Sequence, residues 1–145
     1  MIPTIKCVFD TNALISGALF EQSIPAQAVF LALQQHTLLA SHATLREVST
    51  VLRRSKFDAY VSVQDRERFL TRIALKAELV DIIEHITVCR DAKDNKFLDV
   101  TVNGQATVLV SGDDDLLTLH PFRTIPIIRP HDFWLSRISR SSHEM

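Results

Sequence analysis

Cysteine and glycine are scarce in this chain, which holds two cysteines and three glycines in 145 residues. Cys7 and Cys89 form no C-x-x-C pair, which argues against a thiolate metal site and a disulfide-stapled secreted scaffold. With three glycines and five prolines, the composition leaves little room for long flexible linkers. No apolar run approaches the ~18 residues of a bilayer-spanning helix, and Lys6 and Asp10 fall where a signal peptide keeps its apolar core. A reduced cytoplasmic setting with no membrane association is therefore expected. An excess of basic charge is missing too: sixteen Lys+Arg against seventeen Asp+Glu give −1, which argues against a strongly basic nucleic-acid glue.

What is present is 46% hydrophobic and 23% charged residues, the composition of one globular domain able to bury its own core. The domain is expected over residues 1–135, followed by a flexible tail at 136–145, where SRISRSSHEM loses apolar periodicity. Charge is unevenly spread. Residues 46–76 carry eight bases and four acids, and residues 77–115 carry three bases and nine acids.

Short β-branched runs alternate with helical patterns, which is the requirement of a parallel sheet covered on both faces. The fold class is α/β, with strands expected at Ile5–Phe9, Thr37–Ala40, Ile86–Cys89, Thr107–Ser111 and Ile125–Ile128. Helices are expected from Pro25 through Leu33, at Thr44–Arg53, at Val63–Ala77, at Asp94–Asn103 with Gly104 stopping it, and from Pro130 onward.

Four acids fall at predicted strand-to-helix junctions: Asp10, Glu47, Asp94 and Asp113. In an open parallel sheet the C-terminal strand ends form the ligand edge, with neighbouring strands ~4.8 Å apart. Carboxylates gathered there repel one another unless some bind protons or a cation neutralises them. An all-oxygen set, with Asn12 and Ser111 as neutral donors, suits Mg²⁺ or Mn²⁺ better than zinc. Such a centre favours phosphodiester hydrolysis, because an ion screens the phosphate and lowers the pKa of its bound water. The six histidines match no ligand spacing.

Each acid also suits a helix start, where unpaired N–H groups and the helix dipole favour negative side chains. Thr44-Leu45-Arg46-Glu47 is by itself a capping-box pattern. Asp94 and Asp113–Asp115 have the same local explanation, while Asp91 and Asp99 are weaker candidates. The basic residues Arg46, Arg53, Arg54, Lys56, Arg66, Arg68, Arg72 and Lys76 form either a solvated face or a patch that holds a polyanion near the acids.

Four segments in order, VFDTNALIS at 8–16, the helix with Leu45 and Glu47, RDAKDNKFLDV at 90–100 and VLVSGDDDLL at 108–117, resemble a PIN-domain nuclease over about residues 3–135. DTN, R-D-x-K-D-N-x-F-L and S-G-D-x-D-L together look most like the bacterial and archaeal group of toxins from toxin-antitoxin systems. The resemblance implies an α/β/α sandwich and a Mg²⁺- or Mn²⁺-dependent ribonuclease, usually endonucleolytic on single-stranded RNA. By motif, it places the acidic positions on Asp10, Glu47, Asp94 and Asp113, with one or two ions. Thr11, Asn12 and Ser111 are polar support and Asp115 a further acid. Arg46, Arg53, Arg54 and Lys56 are the expected RNA contacts. An antitoxin partner and a homodimer, the latter through residues 24–35 and 57–73, complete the expectation. Two other readings are a PIN-like module that binds RNA or protein without cutting, and a phospho-receiver-like domain using Arg129-Pro130.

Overall fold

The computed structural model describes residues 4–143, with side chains through residue 137. A five-stranded parallel sheet has the order β3-β2-β1-β4-β5, from β1 (Lys6–Phe9), β2 (Thr37–Ala40), β3 (Glu78–Leu79), β4 (Val108–Val110) and β5 (Ile127–Ile128). Seven helices connect and cover it: α1 (Thr11–Leu19), α2 (Ile24–Gln35), α3 (His42–Leu52), α4 (Val63–Lys76), α5 (Asn95–Asn103), α6 (Asp114–Leu117) and α7 (Pro130–His143).

Strand periodicity divides the core in two. Cys7, Phe9, Leu38, Val108 and Val110 point to one apolar cluster, with Ala13, Leu14, Val29, Val48, Ile73 and Phe133 from the helices. Val8, Leu39, Leu109 and Ile127 point to the other, with Phe97, Leu98, Val100 and Leu116. Alternate residues of each central strand are thus buried on opposite faces, which produces near-continuous apolar strands and a three-layer α/β/α sandwich. Most apolar residues of α2 are used in the first cluster.

The third strand is a correction. Ile86–Cys89 is not a strand; the chain pairs with β2 earlier, at Glu78 against Leu39 and Leu79 against Ala40. At 86–89 side chains replace the ladder: Ile86 N donates to Asp99 Oδ1 at 2.6 Å and Cys89 N to Asn95 Oδ1 at 2.9 Å. A backbone so satisfied needs no neighbouring strand.

Helix starts also differ. α3 begins at His42 with Ser41 as its N-cap, in a capping box with Thr44. Thr44-Glu47 is therefore not the box, and Glu47 is left for tertiary contacts. Gly104 does close α5, but at φ −88; the left-handed residue is Gln105 at φ 51. Glycine is required at 104 by crowding, since a Cβ there would lie 2.7 Å from Leu39 Cδ1 and 2.8 Å from the Val100 carbonyl oxygen. Beyond residue 135, where the sequence predicts a loose tail, α7 continues to His143; residues 144–145 lie outside the described residues.

Candidate active site

β1 ends in Phe9, and the next residue, Asp10, becomes the N-cap of α1. Its Oδ1 accepts from the Ala13 N–H at 2.8 Å, and its Oδ2 accepts from the Ser111 hydroxyl. Ser111 leaves the adjacent strand β4 and is fully buried. The Ser111 Oγ in turn accepts from the Asp113 N–H at 2.9 Å. One serine thereby ties the ends of two central strands together across their acids. Asp10 is itself only 5% exposed. Burial pushes its pKa up; the bonds from Ser111 and Ala13 oppose this, and the nearby Asp113 and Glu47 charges reinforce it.

Glu47 faces the same place from α3, one turn beyond the capping box. Its Oε2 accepts from the Thr11 hydroxyl and its Oε1 from Lys96 Nζ at 2.9 Å. Lys96 comes from the first turn of α5. It is a functional-site residue that the sequence reading did not single out.

Asp94 ends the short 3₁₀ turn Ala92–Asp94 and makes no capping bond. Its local explanation therefore fails. Its Oδ2 is buried with no hydrogen-bond donor, and burial with the neighbouring Asp113 carboxylate pushes its pKa up to about 7. Asp113 does cap α6, through the Asp115 N–H at 2.9 Å. One oxygen from each of Asp94, Asp113 and Asp115 falls within 4.8 Å of the others. Asp115, however, is held by Arg90, Nε to Oδ1 at 2.7 Å and Nη2 to Oδ2 at 2.9 Å.

Asp10, Thr11, Asn12, Glu47, Asp94 and Asp113 line one cleft of about 150 Å³, together with Arg54, Val51 and Phe97. All four predicted acids and two of the three polar supports are at its wall; Ser111 lies just beneath. An orphaned carboxylate oxygen in an all-oxygen cluster fits a hard divalent cation. Asp94, Asp113 and Asp115 have the oxygens close enough together that could hold one, and Asp10 lines the same cleft as Asp94 and Asp113. Asp91 instead accepts from the Lys93 N–H, and Asp99 holds the Ile86 loop.

The expected RNA contacts separate. Arg54 lines the cleft. Arg46 and Arg53 flank a different hollow between α3 and α4, where Arg53 forms a two-bond pair with Glu67 at 2.7 and 2.8 Å. Lys56 lies over the Phe57 ring. Arg66, read with the basic arm, is 2% exposed and bonds the Leu52 and Arg54 carbonyls and Asp58, so it is a structural cation. Arg129, needed at the cleft by the phospho-receiver reading, reaches exposed Asp114 at 3.4 Å instead. His36 and His120 accept from the Ile5 and Ile127 backbone N–H groups, and burial pushes the Cys89 thiol up, away from nucleophilic use. No described helix is long and apolar enough to cross a membrane.

An uncharacterized protein of Methanocaldococcus jannaschii, MJ1680, is 29% identical over 117 residues, which are 79% of this chain and 75% of that protein. The crystal structure of PAE2754 from Pyrobaculum aerophilum superposes with a TM-score of 0.63 at 17% identity, covering 93% of this chain and 90% of that one. VapBC2 from Rickettsia felis, solved bound to a DNA fragment from its promoter, superposes at 0.61 and 12% identity over 86% and 98%. A family model described as the PIN domain matches residues 6–115, a span from the start of β1 to the last acid of the cluster, and the chain belongs to the PIN domain family.

Proposed function

We propose that this chain is a Mg²⁺- or Mn²⁺-dependent endoribonuclease acting on single-stranded RNA, and that it is the toxin of a toxin-antitoxin pair. The observation that carries the catalytic reading is the buried Asp94 oxygen without a donor, in a cleft walled also by Asp10, Glu47 and Asp113. Local capping does not require that oxygen to be there. Family membership supports nuclease chemistry, and the partner reading rests on the sequence resemblance, with the VapBC2 likeness in support.

Asp10, Asp94 and Asp113 would hold the ion, one or two being compatible with the cluster. A bound divalent ion supplies a lowered water pKa and charge relief for the scissile phosphate. The protein residues do the positioning. Ser111 holds Asp10 in one rotamer, and Thr11 and Lys96 hold Glu47 toward the cleft, where it orients the attacking water. Arg54 at the cleft wall meets phosphate charge as the strand enters.

Replacing Asp10 with Asn tests this reading. The variant should retain the fold by circular dichroism, lose Mn²⁺ affinity in calorimetry and lose most RNA cleavage, about a hundred-fold or more. Wild-type cleavage rates from the Asp10→Asn protein, or wild-type cleavage in excess chelator, refute it.

A further inference from the structure

A second hollow, of about 490 Å³, opens between α1 and α4. Tyr60, 66% exposed, lines it, and the Phe20 ring, 53% exposed, lies beside Tyr60. They meet edge to face with centroids 6.3 Å apart. Two exposed rings in contact form a contiguous apolar patch, which marks an interaction site better than a single exposed side chain does. Neither ring is needed by the two apolar clusters of the core.

The hollow is built from the same two chain segments as the metal cleft. α1 brings Asn12 to the cleft, then Gly17 and Ala18 to the hollow. The stretch after α3 brings Arg54 to the cleft, then Tyr60 and Val61 to the hollow. From Asn12 to Phe20 along α1 is roughly 12 Å at 1.5 Å per residue, so α1 runs from the acidic cleft to the Phe20 ring. Arg72 lies over Phe30 at 5.5 Å within this hollow, and Arg68 is on its wall, paired to Asp65.

We propose that this hollow, with Tyr60 on its wall and Phe20 against that ring, is a subsite for unpaired bases of the nucleic-acid strand that is cut at the acidic cleft. The inference rests on the nuclease reading above and extends it to how the strand is held. Aromatic faces with arginines nearby suit single-stranded nucleic acid, because every base has a face to stack and a duplex hides it. Arg54 lies between the two hollows in the chain and supplies the phosphate contact that joins them. The wall carries the Phe30, Tyr60 and Phe69 rings and the Arg68 and Arg72 guanidinium groups, with the Glu21 and Asp65 carboxylates among them, Asp65 being paired to Arg68.

The test is binding in chelator, where no strand is cut. Fluorescein-labelled single-stranded RNA of roughly twelve nucleotides is titrated by anisotropy against wild type, Phe20→Ala/Tyr60→Ala and Tyr60→Phe. Stacking of one or two bases makes the double variant weaker by roughly ten-fold or more, while Tyr60→Phe, which keeps the ring, binds as wild type does. An RNA with abasic positions loses the difference between wild type and the double variant, and duplex RNA shows none. Both rings are exposed, and unchanged thermal melting establishes that the variants fold. Equal affinity of wild type and the double variant for single-stranded RNA overturns the subsite. So does an equal loss on the abasic strand, which would assign the contacts to phosphates. A change confined to sedimentation, with RNA affinity unaltered, overturns it in favour of a protein partner. If wild type cuts RNA with Mn²⁺ while the rings make no difference, only the subsite fails; if wild type neither binds nor cuts RNA, the nuclease reading fails with it.

Discussion

Asp94 converts the crowding of the cleft into a measurable stability. Burial and the Asp113 carboxylate raise its pKa from 3.8 to about 7. Between those values the folded chain keeps a proton that the unfolded chain has released. The stabilising contribution is therefore full below about pH 4 and is lost as pH rises toward 7. At 1.36 kcal/mol per unit the ceiling is about 4 kcal/mol. Asp94 is partly open to water, which screens its charge and leaves ~1–2 kcal/mol. For a chain of this size that is about 3–6 °C in melting temperature. Wild type and Asp94→Asn are melted in chelator at pH 4 and pH 8 by circular dichroism. At pH 4 Asp94 is protonated and the two proteins melt together. At pH 8 the Asp94→Asn protein melts higher by that margin, since it carries no charge to be repelled. Mn²⁺ then stabilises the wild type more than the variant and closes the gap, because binding to the folded state shifts its melting. Equal melting at pH 8 in chelator would mean that the Asp94 charge costs the fold nothing, and the argument that the cleft needs a counter-charge would be refuted.

Ser111→Ala removes the donor to Asp10 Oδ2 and the acceptor for the Asp113 N–H; it should cost about 1–3 kcal/mol in urea unfolding and weaken Mn²⁺ binding at neutral pH as Asp10 becomes harder to ionise. Lys96→Met frees Glu47 Oε1 from a partly exposed ion pair, so stability should fall by about 1 kcal/mol or less. Removing a positive charge beside the cleft should tighten Mn²⁺ binding several-fold in calorimetry, while cleavage slows as Glu47 loses its orientation. Gly104→Ala should destabilise by about 1–3 kcal/mol through overpacking against Leu39 and the Val100 carbonyl, with Mn²⁺ affinity unchanged.

The sheet centre was legible because its signals are local. An apolar strand running into Asp10-Thr11-Asn12, and another into Ser111-Gly112-Asp113, each announce a buried strand and the polar residues at its end. The edge was not. Ile86-Thr87-Val88-Cys89 has the composition of a strand, yet its first and last N–H groups are taken by Asp99 and Asn95, and the true edge strand is two residues without a pattern. Overlapping caps mislead for a related reason: Ser41-x-x-Thr44 and Thr44-x-x-Glu47 both satisfy the local rule, and α3 uses the first. Lys96 and Arg90 were out of reach because their carboxylates lie 49 and 25 residues away. Charge class alone also misassigned Arg66, whose guanidinium ties the Leu52 and Arg54 carbonyls together from inside.

Capping and metal binding compete as explanations of an acid only if a carboxylate can serve one of them at a time. Asp10 shows otherwise, since Oδ1 caps α1 and Oδ2 turns to Ser111. Asp113 likewise caps α6 through one oxygen while standing beside Asp94. A carboxylate oxygen has two lone pairs, so one hydrogen bond to each leaves electron density directed into the cleft. The cap then fixes the rotamer, and the N-terminal end of α1 supplies partial positive charge that offsets some of the repulsion among the acids. Asp94, at the start of α5, makes no capping bond, and burial with the neighbouring Asp113 carboxylate raises its pKa to about 7. The caps fix the rotamers of Asp10 and Asp113, and the uncapped Asp94 carries the buried oxygen that no donor meets. A divalent cation would gain most from Asp94, so the loss of Mn²⁺ affinity on Asp94→Asn should equal or exceed that on Asp113→Asn; calorimetry showing Asp113→Asn to be much the worse would place the unmet charge on the capped acid and overturn this division of labour.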